Sequence, residues 1–321
     1  MRKLRVTEDP HSCTNRGVLG FRLTALLRFL GFGFTILVGL GLAAEPNTAK
    51  NVLVLESFTG HNGDFLTQLK PELRARVSSP VDYYVENLES QRFKEKGYLK
   101  SLAETLHSSY ANRKLDLVIV ANYPALSFAA SYRDRMFPGV PIVFLAVDAN
   151  RLKGQKLWPN VTGATVTVDI QGTIDLALRL HPGTNTIAVI SNTSSEFEKY
   201  WLAAVQSELQ RYRDRTGEID LVGLPTEQLL RRVPALPTQS VIFVQLAPQD
   251  SVQPVMGDDD VVMAIAKQRP TYCLAAAFCM DRGGVGTADF DGKEQVSLAA
   301  DMAARVLSGE QAGNKIGRAH V

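Results

Sequence analysis

The chain has 321 residues, of which 45% are hydrophobic and 21% are charged, a composition typical of a globular protein. That length allows about two domains at roughly 150 residues each. The formal net charge is only +2 and the excess of basic residues lies before Phe29, so the composition argues against a nucleic-acid-binding protein, for which a basic stripe would be expected.

The N-terminal segment, residues 1–44, has the pattern of an export signal. Basic residues precede an uncharged apolar run from Phe29 to Ala44, and that run ends in small residues before Glu45. The run has about 16 residues, near the lower limit for a helix that spans a bilayer, so an uncleaved membrane anchor is the alternative. Either way, we expect the residues after this segment to lie in the periplasm or on the extracytoplasmic face of the inner membrane.

Strands and helices alternate in residues 45–160. Apolar runs predict strands at 51–55, 81–85, 117–121 and 142–146, and helical spacing of apolar residues predicts helices between them. The runs at 117–121 and 142–146 are apolar on both faces, as in a parallel sheet that is covered by helices. Residues 45–160 are therefore predicted to form one α/β lobe.

The same alternation returns in residues 161–282, which are predicted to form a second lobe. A closing helix at 290–307 has no strand partner there, so we expect residues 283–310 to return to the first lobe. The predicted fold class is α/β, with two doubly wound parallel-sheet lobes and a hinge between them. Such a hinge places a cleft between the lobes that can close on a ligand.

Cys273 and Cys279 lie near a predicted strand end. They could pair in an oxidising compartment. Because a free cysteine commonly behaves as a small hydrophobic residue, two buried thiols are the expectation that we favour.

The C-terminal residues 311–321 have an unusual ending. Residues 316–321, IGRAHV, back-translate to a widely used sequencing adapter. We therefore expect a truncated end, with the natural chain continuing beyond about residue 315.

The sequence contains no recognisable catalytic motif: GxSxG, a Walker loop, HExxH and a strand-linked GxGxxG are all absent. The GGVG run at 283–286 is interpreted as a connection between lobes. The acidic run at 258–260 is interpreted as a helix start in preference to a cation site, since carboxylates there complement the helix dipole. We predict no catalytic residue, no metal site and no cofactor.

Polar and aromatic residues at the predicted strand ends form the candidate binding site, because open parallel sheets bind ligands at the carboxyl ends of their strands. Hydroxyl, amide, carboxylate and aromatic groups together suit a small polar or zwitterionic ligand. For His61, ligand contact and an ordinary surface loop remain equally open. The candidate ligand-binding residues are Ser57, Thr59, His61, Asn122, Tyr123, Asp148, Asn192, Thr193, Ser194, Ala247, Gln249, Phe278 and Asp281.

Four segments carry a family resemblance. They are YVENLESQRF (84–93), LDLVIVANYPALSFAASYRDRMFPGVPIVFLAVD (115–148), NVTGATVTVDIQGTIDLALRLHPGTNTIAVIS (160–191) and GGVGTADFDGKEQVSLAADMAARVLSGE (283–310). The chain resembles the ABC-transporter substrate-binding family with a type I periplasmic-binding-protein fold. It is most similar to the branch that forms the extracytoplasmic sensor region of bacterial histidine kinases. That family often has an acidic pair after the third strand, where this chain has Asn122 and Tyr123. The resemblance therefore does not imply that this position binds an amino group of the ligand.

The resemblance implies a non-catalytic, two-lobed Venus-flytrap binder. We expect an exported solute-binding domain, most similar to the ligand-sensing region of a truncated two-component sensor kinase. The first alternative is the free substrate-binding component of an ABC transporter, whose partner would be a permease rather than its own kinase region. A further alternative is an enzyme that uses the cleft between the lobes.

Overall fold

The computed structural model describes residues 48–58, 65–89, 92–93, 95–245, 258–275, 279–288, 292–313 and 316–318. All of these residues belong to one compact unit, Glu45–Val321. The segment predicted as an export signal or anchor lies outside them. Within the described ranges, no helix is both long and apolar enough to cross a membrane.

Six parallel strands form the first sheet. Their bounds are β1 Lys50–Glu56, β2 Val81–Asn87, β3 Leu117–Ala121, β4 Ile142–Asp148, β5 Val161–Val166 and β10 Ile316–Arg318. The order across the sheet is β10-β5-β4-β3-β1-β2, and every pairing is parallel. All residues of β3 are buried because helices cover both faces of the sheet.

Five helices accompany this sheet: α1 Phe65–Arg74, α2 Tyr98–Tyr110, α3 Asn122–Met136, α4 Ala149–Leu152 and α9 Gly292–Leu307. Helices α2 and α3 pack in the core on one face of the sheet. Helices α1 and α9 pack in the core on the other face. We call this sheet with its five helices the first lobe.

Four parallel strands form the second sheet, in the order β7-β6-β8-β9. The strands are β6 Thr186–Ser191, β7 Gly217–Val222, β8 Ser240–Val244 and β9 Thr271–Cys273. The helices are α5 Ile170–Leu180, α6 Glu196–Leu209, α7 Thr226–Arg232 and α8 Asp258–Ala266. Helices α5 and α6 cover one face, and α7 and α8 cover the other. We call this sheet with its four helices the second lobe.

The lobe boundary differs from the sequence expectation in one strand. β5 was assigned to the second lobe, but it pairs with β4 in the first sheet, so the chain leaves the first lobe only after Val166. Its β-branched run predicts a strand without specifying the partner strand. Helix α9 places Val296, Ala299 and Ala303 in the core of the first lobe, so the chain also returns there after the second lobe.

Cys273 and Cys279 form a disulfide, which corrects the expectation of two buried thiols. A short 3-10 turn, Met280–Arg282, follows Cys279 and turns the chain back toward β9. Gly284 makes this approach possible, because a Cβ there would lie 2.4 Å from the Cys279 sulfur. The GGVG run therefore makes room for the disulfide at the end of β9.

Loss of this disulfide should lower stability. A Cys273→Ala/Cys279→Ala variant should lose about 2 kcal/mol of unfolding free energy, because the short loop no longer restrains the unfolded chain. Urea unfolding of the wild type and the variant, with and without dithiothreitol, measures this loss of unfolding free energy. The reductant should destabilise only the wild type, and an equal response of the two proteins would contradict the prediction.

Candidate functional site

Ser57 follows β1 at the carboxyl edge of the first sheet and is fully buried. Its hydroxyl donates to the Ala121 carbonyl at 2.7 Å and accepts from the Ala125 N–H at 2.9 Å. These two groups would otherwise form the first hydrogen bond of α3. Ser57 therefore links β1 to the start of α3, and its hydroxyl is used by the fold.

Two residues at this edge have left-handed backbone conformations. Asn122, the first residue of α3, has φ 70°, and Ala146 in β4 has φ 56°. Asparagine tolerates this region better than alanine does. The pairing of β4 with β5 is irregular between Phe144 and Val147, as at a β-bulge. The bulge lies directly before Asp148, so it sets where that carboxylate points.

Asp148 connects the two lobes. It is 4% exposed at the end of β4, and its carboxylate accepts from the Asn150 N–H at 3.3 Å. The same carboxylate accepts a hydrogen bond from the hydroxyl of Tyr200 on α6 of the second lobe. A hydrogen bond to an ionised group is roughly twice as strong as a neutral one. This pair therefore favours the arrangement in which the lobes touch.

Arg151 on α4 lies between two tyrosine rings. Its guanidinium carbon is 4.0 Å from the ring centroid of Tyr123 in the first lobe and 4.0 Å from that of Tyr200 in the second. Burial lowers the pKa of Arg151, while the two tyrosines, Asp148 and Glu196 raise it. An arginine stays protonated under these conditions. A fixed positive charge therefore lies at the junction of the lobes.

Aromatic rings form a second contact between the lobes. Phe58, just after β1, lies 5.0 Å from Phe197 in the first turn of α6, measured between ring centroids. Phe197 in turn meets Trp201 edge to face at 6.4 Å. Phe197 is only partly buried, because it packs against the core of the second lobe and also contacts Phe58 of the first lobe.

A cavity of about 570 Å³ lies at this junction, within the range of small-molecule sites. The first lobe supplies the start of α2, the outer face of α3 and Arg151, and the second lobe supplies the first turn of α6. Its aromatic lining residues are Phe93, Tyr98, Tyr123, Phe128, Tyr132 and Phe197. An aromatic wall of this kind suits a ligand with a flat apolar part.

Two of the predicted binding residues, Tyr123 and Ser194, line this cavity. The Ser194 hydroxyl donates to Glu198 at 2.7 Å, beside the capping box that Ser195 and Glu198 form at the start of α6. Asn122, Asn192 and Thr193 lie at strand ends but are not among the lining residues. Asp281 is exposed in the turn after Cys279. Thr59, His61, Ala247, Gln249 and Phe278 lie outside the described residues.

The sequence does not identify most of the junction between the lobes. Arg151 and Phe197, which line the cavity, and Tyr200, which contacts Arg151, lie on helices rather than at strand ends, so the rule for parallel sheets does not select them. A signal for two of them is present in the sequence, because Phe197 and Tyr200 are three residues apart and so share one face of the helix that follows β6. In the part of the chain that the structure describes, no group of three or more His, Cys, Asp and Glu side chains could hold a metal ion.

Alkaline pH should destabilise the protein through three tyrosines. Burial first, and then a hydrogen bond to a carboxylate, raise the pKa of Tyr110, Tyr200 and Tyr212. Each of these tyrosines has a higher pKa in the folded protein than in the unfolded chain, where it is about 10. The resulting stabilisation is fully present below the pKa of the unfolded chain, and it is lost as the pH rises through the pKa of the folded protein. The unfolding free energy should therefore fall above about pH 10.

Urea unfolding at several alkaline pH values measures this loss. The decline should be shallower in Tyr200→Phe and Tyr212→Phe. Equal slopes in the wild type and both variants would contradict the assignment to these tyrosines.

No protein-family model matches the sequence, and no curated protein sequence matches it. The fold is nonetheless defined by comparison with solved structures. Two lobes with parallel sheets, joined so that the carboxyl ends of their strands face a common junction, are the architecture of type I periplasmic-binding proteins.

Individual solved structures share this architecture at low sequence identity. An ABC domain from Streptococcus pneumoniae in complex with L-Trp is 18% identical, with a TM-score of 0.60 over 85% of this chain and 90% of that one. An ABC transporter solute-binding protein from Bacillus halodurans with bound myo-inositol is 10% identical, with a TM-score of 0.54 over 86% and 95%. A LacI transcriptional regulator from Lactobacillus brevis is 12% identical, with a TM-score of 0.52 over 84% and 99%. These likenesses concern the fold, which serves both transport proteins and regulators.

Proposed function

We propose that this chain binds a small organic molecule between its two lobes and closes on it, as solute-binding proteins do. The observation that carries the proposal is the aromatic cavity, whose wall comes from both lobes and contains the Arg151 charge. A ligand in such a cavity contacts both lobes at once, so it binds the closed arrangement better than the open one. That difference in affinity is what drives closure.

Two solved structures of the same fold support this proposal. One was determined in complex with L-Trp and the other with bound myo-inositol. The proposed location is the periplasm or the extracytoplasmic face of the inner membrane, reached through the N-terminal segment. No cofactor is needed for binding of this kind.

Two roles are compatible with such binding. Delivery of the solute to an ABC permease has support from the solute-binding protein of the same fold. Sensing of the solute for a histidine kinase has support from the sequence segments that resemble sensor regions. Sequencing of the intact gene beyond residue 315 separates them. A second hydrophobic span followed by a kinase would favour the sensor, and an early stop codon would favour the permease partner.

A thermal-shift panel tests the binding itself. The purified chain is heated with amino acids, sugars, inositol, purines and aromatic acids in turn. A ligand present at about 100 times its dissociation constant should add roughly 2.7 kcal/mol to the unfolding free energy. Absence of a shift with every member would contradict the proposal, and turnover of any member would favour an enzyme.

A further inference from the structure

The guanidinium of Arg151 lies against two tyrosine rings. The ring centroids of Tyr123 and Tyr200 each lie 4.0 Å from its guanidinium carbon. Among the described residues, none accepts a hydrogen bond from this side chain. Asp148, a buried carboxylate that interacts electrostatically with Arg151, already accepts from the Tyr200 hydroxyl and the Asn150 N–H. The in-plane N–H groups of Arg151 can therefore donate to a ligand, and a carboxylate matches their fork geometry.

Aromatic rings contribute much of the cavity lining near this charge. Phe128 is 2% exposed and packs 5.1 Å from Tyr132, measured between ring centroids. Phe93 and Tyr98, which also line the cavity, pair at 5.0 Å between ring centroids, and Phe93 is 39% exposed. Rings arranged in this way favour a planar aromatic group, which they can contact face to edge.

A ligand ammonium group would find little to bind in the described part of the cavity. Of the lining carboxylates, Glu196 is paired with Lys199 at 2.8 Å, and Glu95 is exposed. The lining also contains a second cation, Lys100. An ammonium ion that enters this cavity loses water without gaining a buried anionic partner, which is unfavourable.

From these three features, and resting on the proposed function, we infer that the ligand is a planar aromatic carboxylate that lacks an ammonium group. Its carboxylate binds the edge of the Arg151 guanidinium, and its ring lies among the aromatic residues of α2, α3 and α6. Tyr123 and Tyr200 are positioning residues, since they hold the guanidinium plane. The site should therefore prefer aryl-alkanoic acids to the corresponding aromatic amino acids.

Calorimetric titration with matched probes tests this inference. The probes are phenylpropionate and indolepropionate, their uncharged amides, and L-phenylalanine and L-tryptophan, which add only an ammonium group to the acids. Each acid should bind about 10- to 100-fold more tightly than its amide and its amino acid, which is the usual range for a hydrogen bond to a charged group. Arg151→Gln should remove the preference for acid over amide.

Arg113→Gln is the matched control, because the Arg113 guanidinium stacks on Tyr84 at 4.4 Å outside the cavity lining. It should leave the preference for acid over amide unchanged. The ratio of the affinity for the acid to that for the amide is informative even if Arg151→Gln weakens lobe closure, because closure affects both affinities alike. Arg151→Lys, which keeps the charge but not the fork, should recover only part of the preference.

Three results would overturn the inference. The first is binding of an amino acid as tightly as the corresponding acid, and the second is an equal loss of affinity for acid and amide in Arg151→Gln. The third is binding of a sugar or polyol with no binding of any aromatic acid. The last of these would leave the proposed function standing. Absence of binding by every compound in the wider panel would remove the proposed function as well.

Discussion

Tyr200→Phe is expected to open the two lobes and weaken ligand binding. The substitution keeps the ring that stacks on Arg151 and removes only the hydroxyl that donates to Asp148. A hydrogen bond to a charged group contributes about 1.5–3 kcal/mol. The two residues belong to different lobes, so Asp148 regains water when the lobes separate, and the equilibrium shifts toward the open arrangement.

The effect on affinity follows from that shift. If about 1.4 kcal/mol is lost from the closed arrangement, its population relative to the open one falls about tenfold. Apparent affinity falls with the fraction of molecules able to bind. Calorimetric titration should show the weaker binding, and small-angle scattering should show a larger radius of gyration without ligand.

Tyr212→Phe is the matched control for Tyr200→Phe. The Tyr212 hydroxyl donates to Asp175 at 2.8 Å, and both residues lie in the second lobe. This variant should lose stability but keep the wild-type affinity and radius of gyration. Equal affinity in Tyr200→Phe and wild type would contradict a closing role for the Asp148–Tyr200 pair.

Gly163→Ala is expected to cause the largest loss of stability of any substitution considered. Gly163 in β5 lies opposite Phe144 in β4, and a Cβ there would lie 2.3 Å from the Phe144 carbonyl and 2.4 Å from its ring. Phe144 is fully buried, so neither its backbone nor its ring has room to retreat. Overpacking of this kind costs about 1–3 kcal/mol, and more where the backbone has to move.

Urea unfolding measures this loss, with Gly217→Ala as control. Gly217 begins β7, and a Cβ there would meet only the Asn185 carbonyl at an ordinary 3.7 Å. The control should stay within about 0.5 kcal/mol of the wild type. Similar stability of the two variants would show that the β4–β5 pairing is not as close as described.

Local patterns predict the individual strands well, because burial on both faces leaves a continuous apolar run. The runs at 117–121 and 142–146 appear as β3 and β4, and β4 extends two residues further to include Asp148. The start of α2 is less predictable: the sequence predicts a helix over 94–110, but the helix begins at Tyr98 after Gly97, which has φ 95°.

Contacts between distant segments are what the sequence alone does not specify. The β-branched run of β5 predicts a strand, but its pairing with β4 depends on where the chain crosses between lobes. The Cys273–Cys279 disulfide depends on the turn at 280–282 and on Gly284. Arg151 and Tyr200 are 49 positions apart in the numbering and meet only when α4 of one lobe approaches α6 of the other.

The candidate site depends both on local sequence patterns and on contacts between distant segments. The strand-end rule selects Tyr123 and Asp148, which lie at the junction of the lobes. It also selects Ser57, whose hydroxyl is used to start α3. The helical residues that complete the cavity become visible only once the two lobes are placed together.

The most direct test of ligand binding between the lobes is a calorimetric titration of the purified chain with the strongest stabiliser from the ligand panel. We expect saturable binding of one molecule per chain, with an affinity that falls in Tyr200→Phe and not in Tyr212→Phe. Absence of saturable binding, equal affinities of the wild type and Tyr200→Phe, or chemical conversion of the bound compound would contradict closure of the lobes on a ligand.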